Sequence, residues 1–255
     1  MKKQLLVVSI LAAALGAAAC KHPAAEQSAA MPEATMAAPA ETMADTMGDN
    51  RAAMAAMGPA TYKVEFTPLW TKANFPVEYP DTSLIHRPHF SGLIGAGHNA
   101  SYHLYALGQP PTPGLERLSE QGKHDALDAE IKAAVAAGNA LALAESEPLK
   151  DFSQTASTQV QVDGAHPMVS LVAMIAPSPD WFAGVSDVSL MENGAWVATK
   201  TVDVQPYDSG GDDGDTYLAS DADANPKRPT GLNQDRHFTK DGAVMPVARI
   251  TFTKM

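Results

Sequence analysis

Tyr62-Lys63-Val64-Glu65-Phe66-Thr67 alternates apolar and polar residues, the period-two pattern of a strand with one face in a core and one in water. Ser101–Ala106 (SYHLYA) and Thr158–Val162 (TQVQV) predict two further strands. Met168–Ile175 (MVSLVAMI) breaks the alternation, because nearly every position is apolar. Such a run predicts a central strand covered on both sides. Trp196–Val204 and Ala243–Thr253 complete the expected strands, the latter carrying Val247, Ile250 and Phe252. Two stretches switch to helical spacing. Thr112–Gln121 (TPGLERLSEQ) is one, and Ala126–Ala137 the other, with Leu127, Ile131, Ala134 and Val135 on one side. Many short strands between Gly/Pro turns, with only two short helices, predict an all-β antiparallel sandwich.

The N-terminal pattern is different in kind. Met1-Lys2-Lys3 is basic, and Leu5–Leu15 is apolar apart from Ser9. A bilayer span needs about 20 apolar residues, so this shorter run reads as a secretory signal. It ends in Ala17-Ala18-Ala19 and Cys20, the only cysteine of the chain. The arrangement resembles a bacterial lipoprotein lipobox, with alanine where leucine is more usual three residues before the cysteine. The resemblance implies cleavage before Cys20 and acylation of its thiol and new amine. Several acyl chains anchor stably where one is marginal. Lys21-His22 follows without an inner-membrane-retaining aspartate, so the expected location is the bacterial envelope, lipid-anchored at the outer membrane. A single cysteine leaves no disulfide within the chain even in an oxidising compartment.

The chain therefore divides into a signal peptide (1–19), the acylated cysteine with a tether (20–60), and one domain (61–255). The tether is rich in Ala, Met and Pro, and residues 21–58 contain no aromatic. That composition buries too little apolar surface to offset chain entropy and reads as disordered. Its methionines (31, 36, 43, 47, 54 and 57) offer thioethers of the kind that hold Cu(I), but irregular spacing favours a low-complexity spacer. Net charge is −11, which argues against nucleic acid as partner and suits cation binding.

Candidate chemistry concentrates in Pro177–Tyr217, where apolar runs end in aspartates. Asp180 precedes Trp181, and PYDSGGDDGDTY carries Asp208, Asp212, Asp213 and Asp215 among glycines 210, 211 and 214. Carboxylates crowded at strand ends repel one another unless a cation sits among them. Ca²⁺ tolerates irregular oxygen shells and is the expected ion.

PHFSGLIGAGHN (Pro88–Asn99), PGLERLSEQG (Pro113–Gly122), SPDWFAGVS, GAWV and PYDSGGDDGDTY occur in this order. Together they resemble the spondin domain, the module known from the N-terminal half of F-spondin and from bacterial secreted proteins. The resemblance covers about Thr61 to Met255. It implies an antiparallel, C2-like sandwich of about eight strands, with calcium held by Asp180, Asp208 and Asp212; Asp213 and Asp215 stand as auxiliaries. Tyr207 replaces the family's tryptophan, and Leu190–Ala195 (LMENGA) lacks the cysteine pair of animal members. Matrix binding therefore does not transfer automatically.

Other signals carry less. Asp221–Asn225 (DADAN) mimics the start of an EF-hand loop, but its sixth position is Pro226 and its twelfth Leu232. His86, His89, His98 and His103 lack zinc-site spacing, and His89 and His98 are expected to pack and hydrogen-bond. Glu116, Glu120, Asp125 and Asp128 are expected to face water, and Trp181 and Trp196 to be packing residues. No GxSxG elbow, P-loop or nucleotide fingerprint is present. The expected function is a calcium-binding adhesion module for a protein or glycan partner, and not an enzyme. A metal-dependent hydrolase using His89, His98 or His237, and copper handling by the tether, are the alternatives.

Overall fold

The structure, a computed structural model, describes residues 57–81, 87–149 and 155–255. Cys20 and nearly all of the methionine-rich tether lie outside the described residues, as does His86. Eight strands form one continuous antiparallel path. They are β1 (Ala60–Pro68), β2 (Ile94–His98), β3 (Ala140–Glu145), β4 (Ala156–Val162), β5 (Met168–Ala176), β6 (Trp181–Ser189), β7 (Thr199–Asp208) and β8 (Ala248–Lys254). Their spatial order is β3-β2-β5-β6-β7-β8-β1-β4. The fold is the expected all-β sandwich, and its only helices among the described residues are α1 (Pro113–Gln121) and α2 (Asp125–Ala136).

One strand joins the two layers. Thr199–Val204 of β7 pair with Thr253–Ala248 of β8, whereas Gln205–Asp208 pair with Gly184–Trp181 of β6. A strand that changes sheets makes a corner of the sandwich. At the other end of the path the edges approach: Thr158 Oγ1 donates to the Glu145 carbonyl at 2.7 Å. Gly97 permits this approach, since a Cβ there would lie 2.0 Å from the Gln161 carbonyl oxygen.

Two cores follow from the sequence pattern. In β1 alternate residues Tyr62, Val64 and Phe66 face inward and are fully buried. They meet Val160, Val162, Val169, Leu171, Ile250 and Phe252 between the layers. Burial of side chains of this size contributes about 1.5–3 kcal/mol each. β5 is covered on both faces, as its continuous apolar run predicts. Leu171 and Ile175 fill the sandwich, and Val172 lies under the helices with Leu115, Leu118, Leu127 and Ile131.

Helix α1 is set by its ends. Thr112 Oγ1 accepts from the Leu115 N–H at 3.1 Å, Pro113 occupies the first turn, and Gly122 closes the helix with φ +63°. Glu130 of α2 ties the two helices together, accepting from Thr112 Oγ1 and the Gly114 N–H, each at 2.7 Å.

Three expectations are corrected. Ser101–Ala106 is irregular, because consecutive Leu104 and Tyr105 are both buried in the second core, which no two-faced strand allows. Trp196–Val204 is two pieces: Ala195–Trp196 pair with Met191–Glu192, and β7 begins at Thr199. Ala243–Thr253 divides likewise, Ala243–Val244 pairing with Thr239–Lys240 before β8 begins at Ala248. Trp181 and Trp196 pack as expected, Trp181 in the core and Trp196 against it.

Candidate functional site

The register of β6 against β7 builds the acidic site. Trp181 pairs with Asp208, so the SPDW turn and the PYDSGG turn leave the sheet side by side. Asp180 is completely buried. Its Oδ2 accepts from Ser209 Oγ (2.9 Å), the Gly211 N–H (2.8 Å) and the Asp212 N–H (3.1 Å). Its Oδ1 is buried without a partner, and burial holds its carboxyl above the ordinary aspartate range.

Asp208 turns back on its own loop, Oδ1 accepting from the Gly210 N–H at 2.9 Å, with Arg228 Nη2 3.8 Å away. Burial, and after it the charge of Asp180, pushes its carboxyl up to about 6. Asp212 is almost fully buried. It staples the loop, accepting from the Gly214 and Ala222 N–H groups at 2.6 Å each. The three expected aspartates thus share one loop cluster, but their carboxylate oxygens do not all come within 4.8 Å of one another, both oxygens of Asp212 being turned to backbone N–H groups. Asp213 instead faces Arg228, 3.1 Å from its Nε, and Asp215 is exposed.

The sequence reading missed a second set of acids. Glu116, Glu120 and Asp223 bring carboxylate oxygens within 4.8 Å of one another, the acidic trio among the described residues that converges so closely. Glu116 and Glu120 do not simply face water. Leu115 and Leu118 pin α1 to the sheet, and the adjoining helical stripe then meets the loop. Ser119 Oγ donates to Ser209 Oγ at 3.0 Å, directly above Asp180. A Cβ on Gly211 would lie 2.8 Å from Glu120 Oε1. That oxygen is buried without a partner. Burial, and then the charge of Glu116, pushes Glu120 up to about 7. The signal in the sequence was an i, i+4 glutamate pair flanking buried Leu118 and Ser119.

Two cations offset part of this charge. Lys227 Nζ lies 2.8 Å from Glu116 Oε1 and 3.4 Å from Asp223 Oδ1, and donates to the Gly211 carbonyl at 3.0 Å. Arg228 donates to the Asp212 carbonyl. DADAN adds backbone: Asp223 bridges Asp212, and the Ala224 N–H donates to the Gly211 carbonyl at 2.8 Å. The site is therefore a packed acidic loop cluster with two buried carboxylate oxygens left over. Hard oxygen donors short of partners fit a divalent cation such as Ca²⁺; soft or imidazole ligands do not contribute.

The histidines have other employment. His89 is exposed, its Nδ1 2.9 Å from the Arg87 carbonyl. His98 is buried between Ser170 Oγ (2.8 Å) and the Asn99 carbonyl (2.9 Å). His237 meets Glu78 Oε2 at 3.0 Å and packs on Trp181 and Tyr217.

Comparison with known proteins places this architecture. Human Spondin-2 is 30% identical over 208 residues, covering 77% of this chain and 62% of that protein. Spondin-1 of Xenopus laevis is 29% identical over 213 residues, covering 78% of this chain and 26% of that protein. The chain thus spans less than two thirds of either relative. The family model described as Spondin_N matches residues 60–238, from the first residue of β1 past the acidic loops and on to Phe238. The chain belongs to the Spondin_N family.

Proposed function

We propose that this domain is a calcium-organised binding module displayed on a bacterial envelope, serving adhesion or assembly with a protein or glycan. The observation that carries the reading is Asp180: a fully buried carboxylate whose Oδ1 has no partner, beside Asp208. A buried ionised oxygen without a partner costs several kcal/mol unless a cation is near. Asp180, Asp208 and Asp212 are the ligands proposed for Ca²⁺, with Glu120 as a further contributor from α1. Bound calcium would neutralise the cluster and fix the SPDW and PYDSGG turns relative to each other. Membership of the Spondin_N family supports a binding role, and the lipobox-like Cys20 supports display by a lipid anchor. No helix among the described residues is long and apolar enough to cross a membrane.

The test is capture from envelope extract by wild type and by Asp208→Ala plus Asp212→Ala, each with Ca²⁺ and with EDTA. The proposal expects partners retained by wild type in Ca²⁺ only. Retention that ignores both calcium and the double substitution would overturn it. Metabolic labelling with palmitate tests the anchor: label present in wild type is lost in Cys20→Ser.

A further inference from the structure

A second pocket, which borders the acidic loops only at Tyr207, lies where the loop after β2 crosses β6 and β7. It encloses about 420 Å³ and is lined by His103, Tyr105, Leu107, Ser186, Asp187 and Tyr207, among others. Asp187 is the only acid lining it, and no lysine or arginine does. Asp187 sits at φ +55°, a left-handed conformation uncommon for side-chain-bearing residues and often kept where a side chain must be aimed. Its N–H is held by Ser170 Oγ at 3.0 Å. The carboxylate is more than one-third exposed and lies between two histidines, with His103 Nδ1 3.2 Å from Oδ2 and the buried His98 Nε2 3.6 Å from Oδ1.

The wall opposite is aromatic. Tyr207 stacks on Phe182 with centroids 5.3 Å apart and planes at 23°, and Tyr105 meets both rings at 5.1–5.3 Å. Tyr105 is 5% exposed, and its hydroxyl has no hydrogen-bond partner although Tyr207 is near. At the mouth Leu107 is 58% exposed.

We propose that this pocket receives an alkylammonium group, specifically a lysine side chain of a partner protein. Each feature matches one part of that side chain. The Asp187 carboxylate accepts from the ammonium. The electron-rich faces of Tyr105 and Tyr207 favour a cation, and Leu107 covers the methylene stem. The chain's net charge of −11 steers a basic partner toward it. The pocket shares Tyr207 with the PYDSGG turn but none of the proposed calcium ligands, so binding of the probe in EDTA separates the two proposals.

The probes are Nα-acetyl-lysine N-methylamide and its norleucine counterpart, which keeps the stem and lacks the ammonium. Glucosamine and glucose form a second pair. Amide NMR shifts of Asp187 and Tyr207 are followed in EDTA and in Ca²⁺. The expected result is saturable binding of the lysine probe in the millimolar range natural for a small fragment. It weakens with salt, exceeds norleucine at least about tenfold, and falls at least about tenfold in Asp187→Asn, whose asparagine tolerates the same φ. Equal response to lysine and norleucine would overturn the proposal. So would preference for either sugar over lysine, or no response to any probe in folded wild type.

Discussion

Asp180→Ala removes one carboxylate that three donors share: Ser209 Oγ and the N–H groups of Gly211 and Asp212. All three belong to buried residues. Leaving a buried donor unpaired costs about 1–3 kcal/mol, so the raw loss is roughly 3–9 kcal/mol. Two effects reduce it. Water can enter the space vacated by the carboxylate, and burial already disfavours the charge of Asp180, as its raised pKa shows. The net expectation in EDTA is a destabilisation of about 3 kcal/mol. Asp180→Asn keeps one oxygen for the same donors and should cost about 1 kcal/mol. Asp213→Ala, at an exposed position in the same loop, should stay within about 0.5 kcal/mol. Urea unfolding of the EDTA-treated protein, with the m-value checked, measures all three. If Asp180→Ala unfolds within about 0.5 kcal/mol of wild type at unchanged m, the aspartate is not the organising acceptor of these turns.

Further expectations concern charge and helix ends. Asp208 titrates at about 6 in the folded chain against an ordinary 3.8, so the native state holds more protons than the unfolded one between these values. Stability of the metal-free protein should therefore fall as pH rises from about 4 to 6 and then level off. Asp208→Asn should remove about 2 kcal/mol of that fall, after allowance for its partial exposure. Stability curves in EDTA that are parallel for wild type and Asp208→Asn would contradict this. Glu120→Gln, which neutralises a raised acid with an unpartnered oxygen, should raise the urea midpoint in EDTA at pH 7.5 by less than about 1 kcal/mol equivalent; a lower midpoint would show that its charge is already compensated. Thr112→Ala breaks the α1 cap and the link to Glu130, and should cost about 1–2 kcal/mol in thermal or urea unfolding.

What the sequence made legible follows from how local each cause is. The alternation of Tyr62–Thr67 and the continuous run of Met168–Ile175 report burial directly, and both strands formed where expected. α1 carries its own caps and α2 its apolar stripe of Leu127, Ile131 and Ala134, so both were readable to within a residue or two. Three strands left no such trace. β2 (IGAGH) is buried throughout and broken by glycine, β3 (ALALAE) has helix-forming composition, and β6 lies within the aspartate-bearing turn sequence. The site divides in the same way. Asp180, Asp208 and Asp212 stand in motifs whose family likeness is visible. Glu116 and Glu120 join them only because Leu115 and Leu118 dock α1 beside the turn, a tertiary event that a helical stripe of glutamates does not announce. The pocket at Asp187 is harder still, resting on a bulge between β5 and β6 and on a loop that imitates a strand in its pattern.

Calcium is proposed to organise the turns around Asp180 and Asp208. Calorimetric titration of Ca²⁺ into EDTA-stripped, dialysed mature protein tests this most directly, with a melting curve on the same sample. The expected result is saturable binding that is abolished in Asp180→Asn plus Asp208→Asn. At about 100-fold excess over Kd, roughly 2.7 kcal/mol of stabilisation and a melting point higher by about 5–10 °C are expected. Folded wild-type protein that takes up no calcium and melts at one temperature with and without it would show that calcium does not organise these turns.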